Sequence, residues 1–421
     1  VVLVSLDTTR ADRLGCYGAA RPATPHLDRL AADGTVHTRA LATSSWTLPS
    51  HASLFTGRLT RSHGADYDPE GPLDLAGAVE GPAEWRSFRA RPLPASERTL
   101  AEVLREGGYD TAGVVAGPWL KRPFGLDQGF EVWDEAGIDS ANGRRAESVT
   151  DAALAWLDRP RRGPGFLFLN YFDPHGPYEA PEPFGRAFLP PGTLPSEGVP
   201  EGDELRARYD AEVAYMDHHL GRFLDGLRSR GLYDRALVVV TADHGELLGE
   251  HGRMGHGESL TEPELRIPLI VKLPGRGRGE PPPARSDAVV QLTDVMPIVL
   301  HALSLPIPAG VQGGLPPRVG HPIVAEVHPL PAISAGGHWR ALYDGRFKLL
   351  WSSLGRHGLY ELERDPGERD NLALRDRPRR ERLTRLLEGY LDSLPGPGEA
   401  GPARTLDAET REALRSLGYV R

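Results

Sequence analysis

The sequence predicts an α/β fold. A large doubly wound sheet, mostly parallel and flanked by helices, is followed by a smaller antiparallel sheet with a packed helix. Three observations carry this. Short continuous apolar runs recur at 1–6, 109–116, 166–172, 236–241 and 267–273, the pattern of strands buried on both faces. Helical periodicity separates them, most clearly at 146–157 and 204–230. From about position 281 the texture changes to short strands, a hairpin signal and one long amphipathic stretch. We therefore read residues 1–280 as the main α/β domain. Residues 281–421 complete it and form the small antiparallel subdomain.

In chain order, strand 1–6 delivers Asp7 at its carboxyl end, where open α/β sheets bind ligands. Thr24 is placed to cap a helix over 25–31. A strand at 35–43 leads into Ser45-Trp46-Thr47-Leu48-Pro49-Ser50-His51, a hydroxyl-rich helix start that runs on to Gly57. Pro49 suits a first helical turn, which puts Thr47 just before the helix at its positive dipole end. Residues 58–94, rich in Gly, Pro and Arg, read as a long surface insertion, with a helix at 97–107. Strand 109–116 ends in Gly117-Pro118, and strand 166–172 runs into Asp173-Pro174-His175-Gly176-Pro177-Tyr178. A Pro/Gly segment, 179–203, bridges to the long helix. Strand 236–241 delivers Ala242-Asp243-His244-Gly245-Glu246, followed by a His- and Gly-rich loop at 249–257. Beyond lie a helix at 294–303, a loop at 305–322, and a hairpin of 340–343 and 346–351 around Asp344-Gly345. A strand at 359–363, a helix at 378–394 and a linker at 395–403 to a helical tail complete the reading.

Composition narrows the function. The 421 residues are 39% apolar and 25% charged, with net charge −9, which describes an ordinary globular protein. Lysine occurs only at Lys121, Lys272 and Lys348. The Arg, Ala, Gly and Pro bias fits a GC-rich bacterial genome. The densest Arg run, 375–385, is interrupted by acids and a Pro, which argues against nucleic-acid binding. Cys16 stands alone, so an intrachain disulfide and a multi-Cys zinc site are both ruled out. No apolar run has transmembrane length. Any signal peptide or lipid anchor would lie upstream of Val1.

Asp7, Asp243, His244 and the Thr47 hydroxyl form a donor set suited to one divalent cation, Mn²⁺, Mg²⁺ or Ca²⁺, with Zn²⁺ also chemically compatible. Read singly, each also serves as an ordinary helix cap after a strand. Ser50 and Ser53 read as structural hydroxyls of the helix. Cys16 reads as a small core residue. His251 is left between a supporting part and none. His26, His37, His63, His218, His219, His301, His321 and His328 are assigned no role.

Together these stretches resemble the sulfatase family of the alkaline phosphatase superfamily. The matching segments are Leu6-Asp7-Thr8-Thr9-Arg10-Ala11-Asp12 with Leu14-Gly15-Cys16-Tyr17-Gly18, then Thr47-Leu48-Pro49-Ser50 through Leu54-Phe55-Thr56-Gly57. They continue with the Asp173–Tyr178 and Thr241–Gly245 stretches, Arg266-Ile267-Pro268-Leu269-Ile270-Val271, and Leu359-Tyr360-Glu361-Leu362 to Asp365-Pro366-Gly367-Glu368. They follow the family's order over nearly the whole chain. The resemblance implies a sulfatase-like fold. It makes Asp7, Asp243 and His244 metal ligands, with Thr47 at the position of the nucleophile, itself a ligand. It puts His175 on the family's substrate-anion histidine. His256 falls near a Lys or His that contacts the transferred group or the leaving oxygen. It also implies a periplasmic, extracellular or membrane-anchored setting.

The chain departs from the family at telling places. A typical sulfatase carries Cys or Ser at position 47, oxidised to formylglycine; here it is Thr, and no formylglycine is expected. The usual Arg two residues after Pro49 is His51, which we read as a substrate-binding candidate. The usual second carboxylate beside Asp7 is Thr8, and the usual sulfate-binding Lys is missing at Gly117-Pro118-Trp119. A formylglycine hydrate has two hydroxyls, one to attack and one to expel sulfate. Threonine has one, so its ester must be opened by a second attack, which is feasible at phosphorus. The sequence therefore reads as a metal-dependent hydrolase or transferase of phosphate or phosphonate esters acting through a Thr47 ester. Two alternatives are a sulfuric ester hydrolase using unmodified Thr47, and a catalytically silent anion-binding member. The substrate is a small-molecule, glycan or lipid ester, with determinants expected in 58–96 and 179–203.

Overall fold

The computed structural model describes residues 1–78, 86–192, 201–275, 285–317, 320–328 and 337–398. Strand β1 (Val2–Leu6) is buried along its whole length, as its apolar run predicts. Helix α1 (Pro25–Ala32) follows, then strand β2 (Thr35–Leu41) and helix α2 (Thr47–Thr56). Next come α3 (Leu100–Glu106), β3 (Asp110–Val114), β4 (Val132–Asp134), α4 (Ala146–Leu157) and β5 (Gly165–Tyr171). The long helix α5 (Gly202–Ser229) packs against α4 and leads to β6 (Val238–Thr241). Strands β7 (Arg266–Ile267), β8 (Leu269–Lys272) and β9 (Arg285–Gln291), with helix α6 (Leu292–Ala302), complete the main unit.

These nine strands form one sheet. Across it run β9, β2, the β7–β8 pair, β6, β1, β5, β3 and β4. Every pairing is parallel except those of β7 and β8, which run against both β2 and β6. β7 and β8 are one reversed strand interrupted at Pro268, which has no N–H to donate. Ile267 faces Ala40 and Ile270 faces Val36, so β2 bulges by one residue opposite the proline. The reversal has a functional consequence. It starts β7 at the edge where β1, β2, β5 and β6 end, so the preceding loop returns over that edge.

Helix α2 is buried at every position, an all-round burial that marks a core helix. It packs on α6 and stops at Gly57, which has φ 64. A side chain there would lie 2.8 Å from Val311 Cγ1, so glycine serves both the turn and the close packing.

The small sheet is antiparallel, in the order β10 (Ile323–Val327), β11 (Trp339–Asp344), β12 (Phe347–Ser352), β13 (Gly358–Glu361). Its hairpin loop is Gly345-Arg346, one residue later than the sequence signal. Ile323, Ala325 and Ala341 join the main core, while Val324, Leu342 and Leu349 meet Leu383, Leu387 and Tyr390 of helix α7 (Arg377–Asp392). Successive residues thus serve opposite faces, as strand geometry requires.

Several local expectations are corrected. Strands β4, β9 and β10 were not anticipated: β4 has three residues, β9 carries Arg, Ser and Asp, and β10, Ile323-Val324-Ala325-Glu326-Val327, is a short run directly after the stretch read as a loop. Within 58–94 the chain folds into a three-stranded ribbon of Asp66–Tyr67, Leu73–Asp74 and Arg89–Arg91, with Ala65, Ala90 and Leu93 buried. Thr24 does not cap α1. Its hydroxyl instead accepts Gly15 N–H at 2.8 Å, and Asp217 of α5 takes the His26 and Leu27 amides. The expected helical tail lies outside the described residues.

One buried ion cluster ties the two sheets together. Lys348 of β12, fully buried, lies 3.0 Å from Glu262 and 2.8 Å from Glu368. Tyr343 also donates to Glu262 at 2.6 Å. Removing the cation leaves two buried carboxylates facing each other. Lys348→Met should therefore destabilise the fold by about 3–5 kcal/mol. Adding Glu262→Gln and Glu368→Gln should restore part of the loss, read as thermal midpoints of the three proteins.

Candidate active site

Four parallel strands and the loop before β7 bring the site together at one edge of the sheet. β1 ends at Asp7 and β6 at Asp243-His244. Both strands are paired in register, Ser5 opposite Thr241, which fixes the two acids side by side. Ligand atoms of Asp7, Asp243 and His244 all lie within 4.8 Å of one another. All three residues are fully buried.

Backbone amides hold only part of this set. Asp243 Oδ1 accepts from Thr8 N at 3.2 Å and from His244 N at 2.9 Å. Asp243 Oδ2 and both oxygens of Asp7 have no hydrogen-bond partner. Burial first, and the Asp243 carboxylate second, hold the Asp7 carboxyl well above its usual range. His244 donates Nδ1–H to Gly245 O at 2.9 Å, which leaves Nε2 as a lone pair. Burial pushes its pKa down to about 4, so it is neutral. Three orphaned carboxylate oxygens beside a neutral imidazole nitrogen fit a divalent cation, which would satisfy what no protein donor does.

Thr47 adjoins this set. Helix α2 begins at Thr47 itself, one residue earlier than its sequence suggested, after an extended Trp46. Thr47 Oγ1 lies 3.5 Å from His244 Nε2. His51, one turn on, lies 3.5 Å from Asp243 Oδ2, with Nδ1 donating to Thr47 O and Nε2 accepting from Ser5 Oγ, each at 2.9 Å. That pattern, with a pKa lowered by burial, makes His51 a neutral brace between α2 and β1. Ser50 donates to Ser44 O and Ser53 bonds His63, both away from the acids.

The remaining two histidines face each other across the site. His175, after β5, stacks on Phe172 with ring centres 4.3 Å apart and donates Nδ1–H to Gly176 O at 2.8 Å. His256 lies 5.0 Å from the His175 ring and 4.5 Å from that of His244. Burial, then the neighbouring His256, push His175 down to about 3. His256 differs. Burial opposes its charge, but the Glu246 carboxylate, 3.1 Å from Nδ1, outweighs burial and raises its pKa. It is the one imidazole of this group biased toward carrying a proton.

All seven residues singled out from sequence are thus neighbours: Asp7, Thr47, His51, His175, Asp243, His244 and His256. Lys121 is elsewhere, its ammonium on Ile138 O at 3.2 Å. Sequence reasoning missed Glu246, which is buried and sets the charge of His256. The signal was available: an acid two residues after His244, with a glycine-rich loop that folds back as the ribbon Leu247–Leu248 and Met254–Gly255. It also missed Asn170. Its Oδ1 takes the Ala116 and Gly117 amides, which turns its NH₂ toward Asp7.

A family model described as Sulfatase matches residues 1–305. The chain is 23% identical to an ulvan-active sulfatase of Formosa agariphila over 93% of this chain and 80% of that protein. It is 25% identical to the multifunctional alkaline phosphatase superfamily protein PehA of Trinickia caryophylli over 78% and 77%. In structure it is similar to a phosphonate monoester hydrolase of Agrobacterium radiobacter, with a TM-score of 0.70, 20% identity, and coverage of 92% and 94%. The matched region carries every residue of the buried site, and the chain belongs to the sulfatase family, as an ester hydrolase of the alkaline phosphatase superfamily.

Proposed function

We propose that the protein hydrolyses monoanionic phosphorus esters, phosphodiesters or phosphonate monoesters, through a covalent Thr47 intermediate. The observation that carries this is a single-hydroxyl nucleophile, Thr47, 3.5 Å from a His244 nitrogen that faces orphaned carboxylate oxygens. A divalent cation held by Asp7, Asp243, His244 and Thr47 would lower the pKa of the Thr47 hydroxyl and offset charge on the substrate.

The chain's own residues supply the rest. Thr47 Oγ, its proton lost to solvent, forms a bond to phosphorus as the ester's P–O bond breaks. His256, protonated against Glu246, gives its proton to the leaving oxygen. His175, its Nδ1–H on Gly176 O, can donate from Nε2 to a substrate oxygen once the bound anion has drawn a proton onto that nitrogen. In the second step water attacks phosphorus, His256 takes the water's proton, and the bond to Thr47 Oγ breaks. Phosphorus tolerates this second in-line attack, so one hydroxyl is enough. The charges also speak to the substrate. Asp7 and Asp243 balance a divalent cation, and Glu246 balances His256. A site with no surplus positive charge accepts a monoanion more readily than a phosphomonoester dianion. One structural neighbour, the phosphonate monoester hydrolase, fits this reading.

Thr47→Ala should lower kcat/KM by at least about 10³-fold on an aryl phosphonate monoester. Thr47→Ser should keep measurable turnover. Both variants should still take up Mn²⁺, read by metal analysis of the purified protein. Turnover of aryl sulfate alone would overturn the phosphorus preference.

The general acid acts in its protonated form, so the rate on an alkyl-leaving-group diester should fall as pH rises through the pKa of His256. Because the Glu246 charge raises that pKa, Glu246→Gln should move this alkaline limb to lower pH. An unmoved limb would remove His256 from the role.

Saturating Mn²⁺ should also raise the thermal midpoint, with about 2.7 kcal/mol expected at a hundredfold excess over Kd. In Asp7→Asn the increment should largely vanish.

A further inference from the structure

A second cleft, of about 210 Å³, lies between the ribbon loop and the small sheet. It begins one residue beyond Glu246, at Leu247, which pairs with Gly255 next to His256. Arg253 and His251 reach it from the tip of the ribbon. Arg356 and His357 reach it from the loop between β12 and β13. Trp339 and Tyr360 add aromatic wall.

The donors here lack acceptors. Arg253 and Arg356 are both exposed, and neither pairs with an acid among the described residues. Other exposed arginines, Arg375, Arg377 and Arg382 among them, each meet a carboxylate. The one acid lining the cleft, Glu368, is already taken by Lys348 Nζ and Glu262 N. His357 accepts Ser352 N–H on Nδ1 at 3.2 Å, so its own proton sits on Nε2 as a further donor. His251 is held at φ 55, a left-handed conformation that costs a non-glycine residue energy and is retained only where its surroundings enforce it. Two unpaired guanidinium groups and imidazole donors around a void are anion-binding chemistry. The aromatic rings add what a bare anion does not need, flat apolar faces for a ring to lie on.

We propose that this cleft binds an anionic sugar unit, its sulfate, phosphate or carboxylate held by Arg253 and Arg356 and its ring against Trp339 or Tyr360. The cleft borders the ribbon that also carries Glu246 and leads to His256. The cleft selects substrates with a second anionic group. That link to catalysis rests on the function proposed above, whereas binding is measurable without turnover.

The test uses calorimetric titration of the full chain carrying Thr47→Ala, with a multiply sulfated disaccharide, its unsulfated counterpart, and inorganic sulfate. The sulfated sugar should bind, weaken with added salt, and lose at least tenfold in affinity when Arg253→Ala and Arg356→Ala are added. Trp339→Ala alone should weaken it several-fold. An unchanged thermal midpoint identifies folded variants. Equal binding of the unsulfated sugar, or no loss in the double arginine variant, would overturn the proposal. Inorganic sulfate binding as tightly as the sugar would reduce the cleft to a simple anion site and overturn its sugar part. A protein that binds the sugar through these arginines yet turns over no ester would keep the cleft and remove the Thr47 chemistry.

Discussion

Two carboxylates held in a dry interior within hydrogen-bond range of almost nothing are the constraint around which this site is built. Asp7 and Asp243 end adjacent parallel strands, and their strands' register leaves them no freedom to separate. Ionised together they repel each other in a medium of low dielectric. Backbone amides relieve one oxygen of Asp243, and the Asn170 amide leans on Asp7. Three oxygens remain exposed to each other's charge. The imidazoles in contact with Asp243 add no charge: His51 and His244 are neutral, each fixed in one tautomer by a backbone carbonyl. A positive ion among those oxygens would relieve that repulsion, and Thr47 Oγ1 lies 3.5 Å from the His244 nitrogen beside them.

The second constraint is topological. A parallel strand in place of β7–β8 would begin at the far edge, and its preceding loop would not cross the site. Reversal brings the ribbon and His256 over Asp243 without a long crossover. Proline at the reversal keeps β7 and β8 from pairing as one regular strand, and Thr241 Oγ1 donates to the Pro268 carbonyl at 2.8 Å. One loop then supplies both members of the Glu246–His256 pair, so the charge of His256 is set chiefly by a residue of its own loop.

The parts of this architecture legible in the sequence are those that write a local pattern. Buried central strands write apolar runs, so β1, β3, β5, β6 and β8 were readable, and with them the strand ends that carry Asp7, His175 and Asp243. Strand β9 sits at a sheet margin, where polar residues are tolerated, and its sequence carries no run to read. Strand β10 is buried throughout and does carry a short apolar run, but only three residues of it are continuous. Thr24 looked like a cap because its residue type suits one, yet a distant carboxylate, Asp217, won that place. Glu246 was visible as a residue and invisible as a partner, since its role depends on a ten-residue loop folding back on itself. Pairings across the fold, such as Lys348 with Glu262 and Glu368, leave no trace in either local sequence.

The grip of the small sheet on Glu262 reaches further than stability. Glu262 opens the short helix that follows the His256 loop, with its amide on Glu368 and its carboxylate on Lys348 and Tyr343. The loop that carries His256 is thus clamped at its downstream end by residues from the last quarter of the chain. For lineages that exchange segments by recombination, this couples two distant inheritance units. A C-terminal subdomain imported from a relative without its matching 256–265 segment would shift His256 even with Asp7, Asp243 and His244 retained. Chimaeras in this architecture should be cut to carry both pieces together.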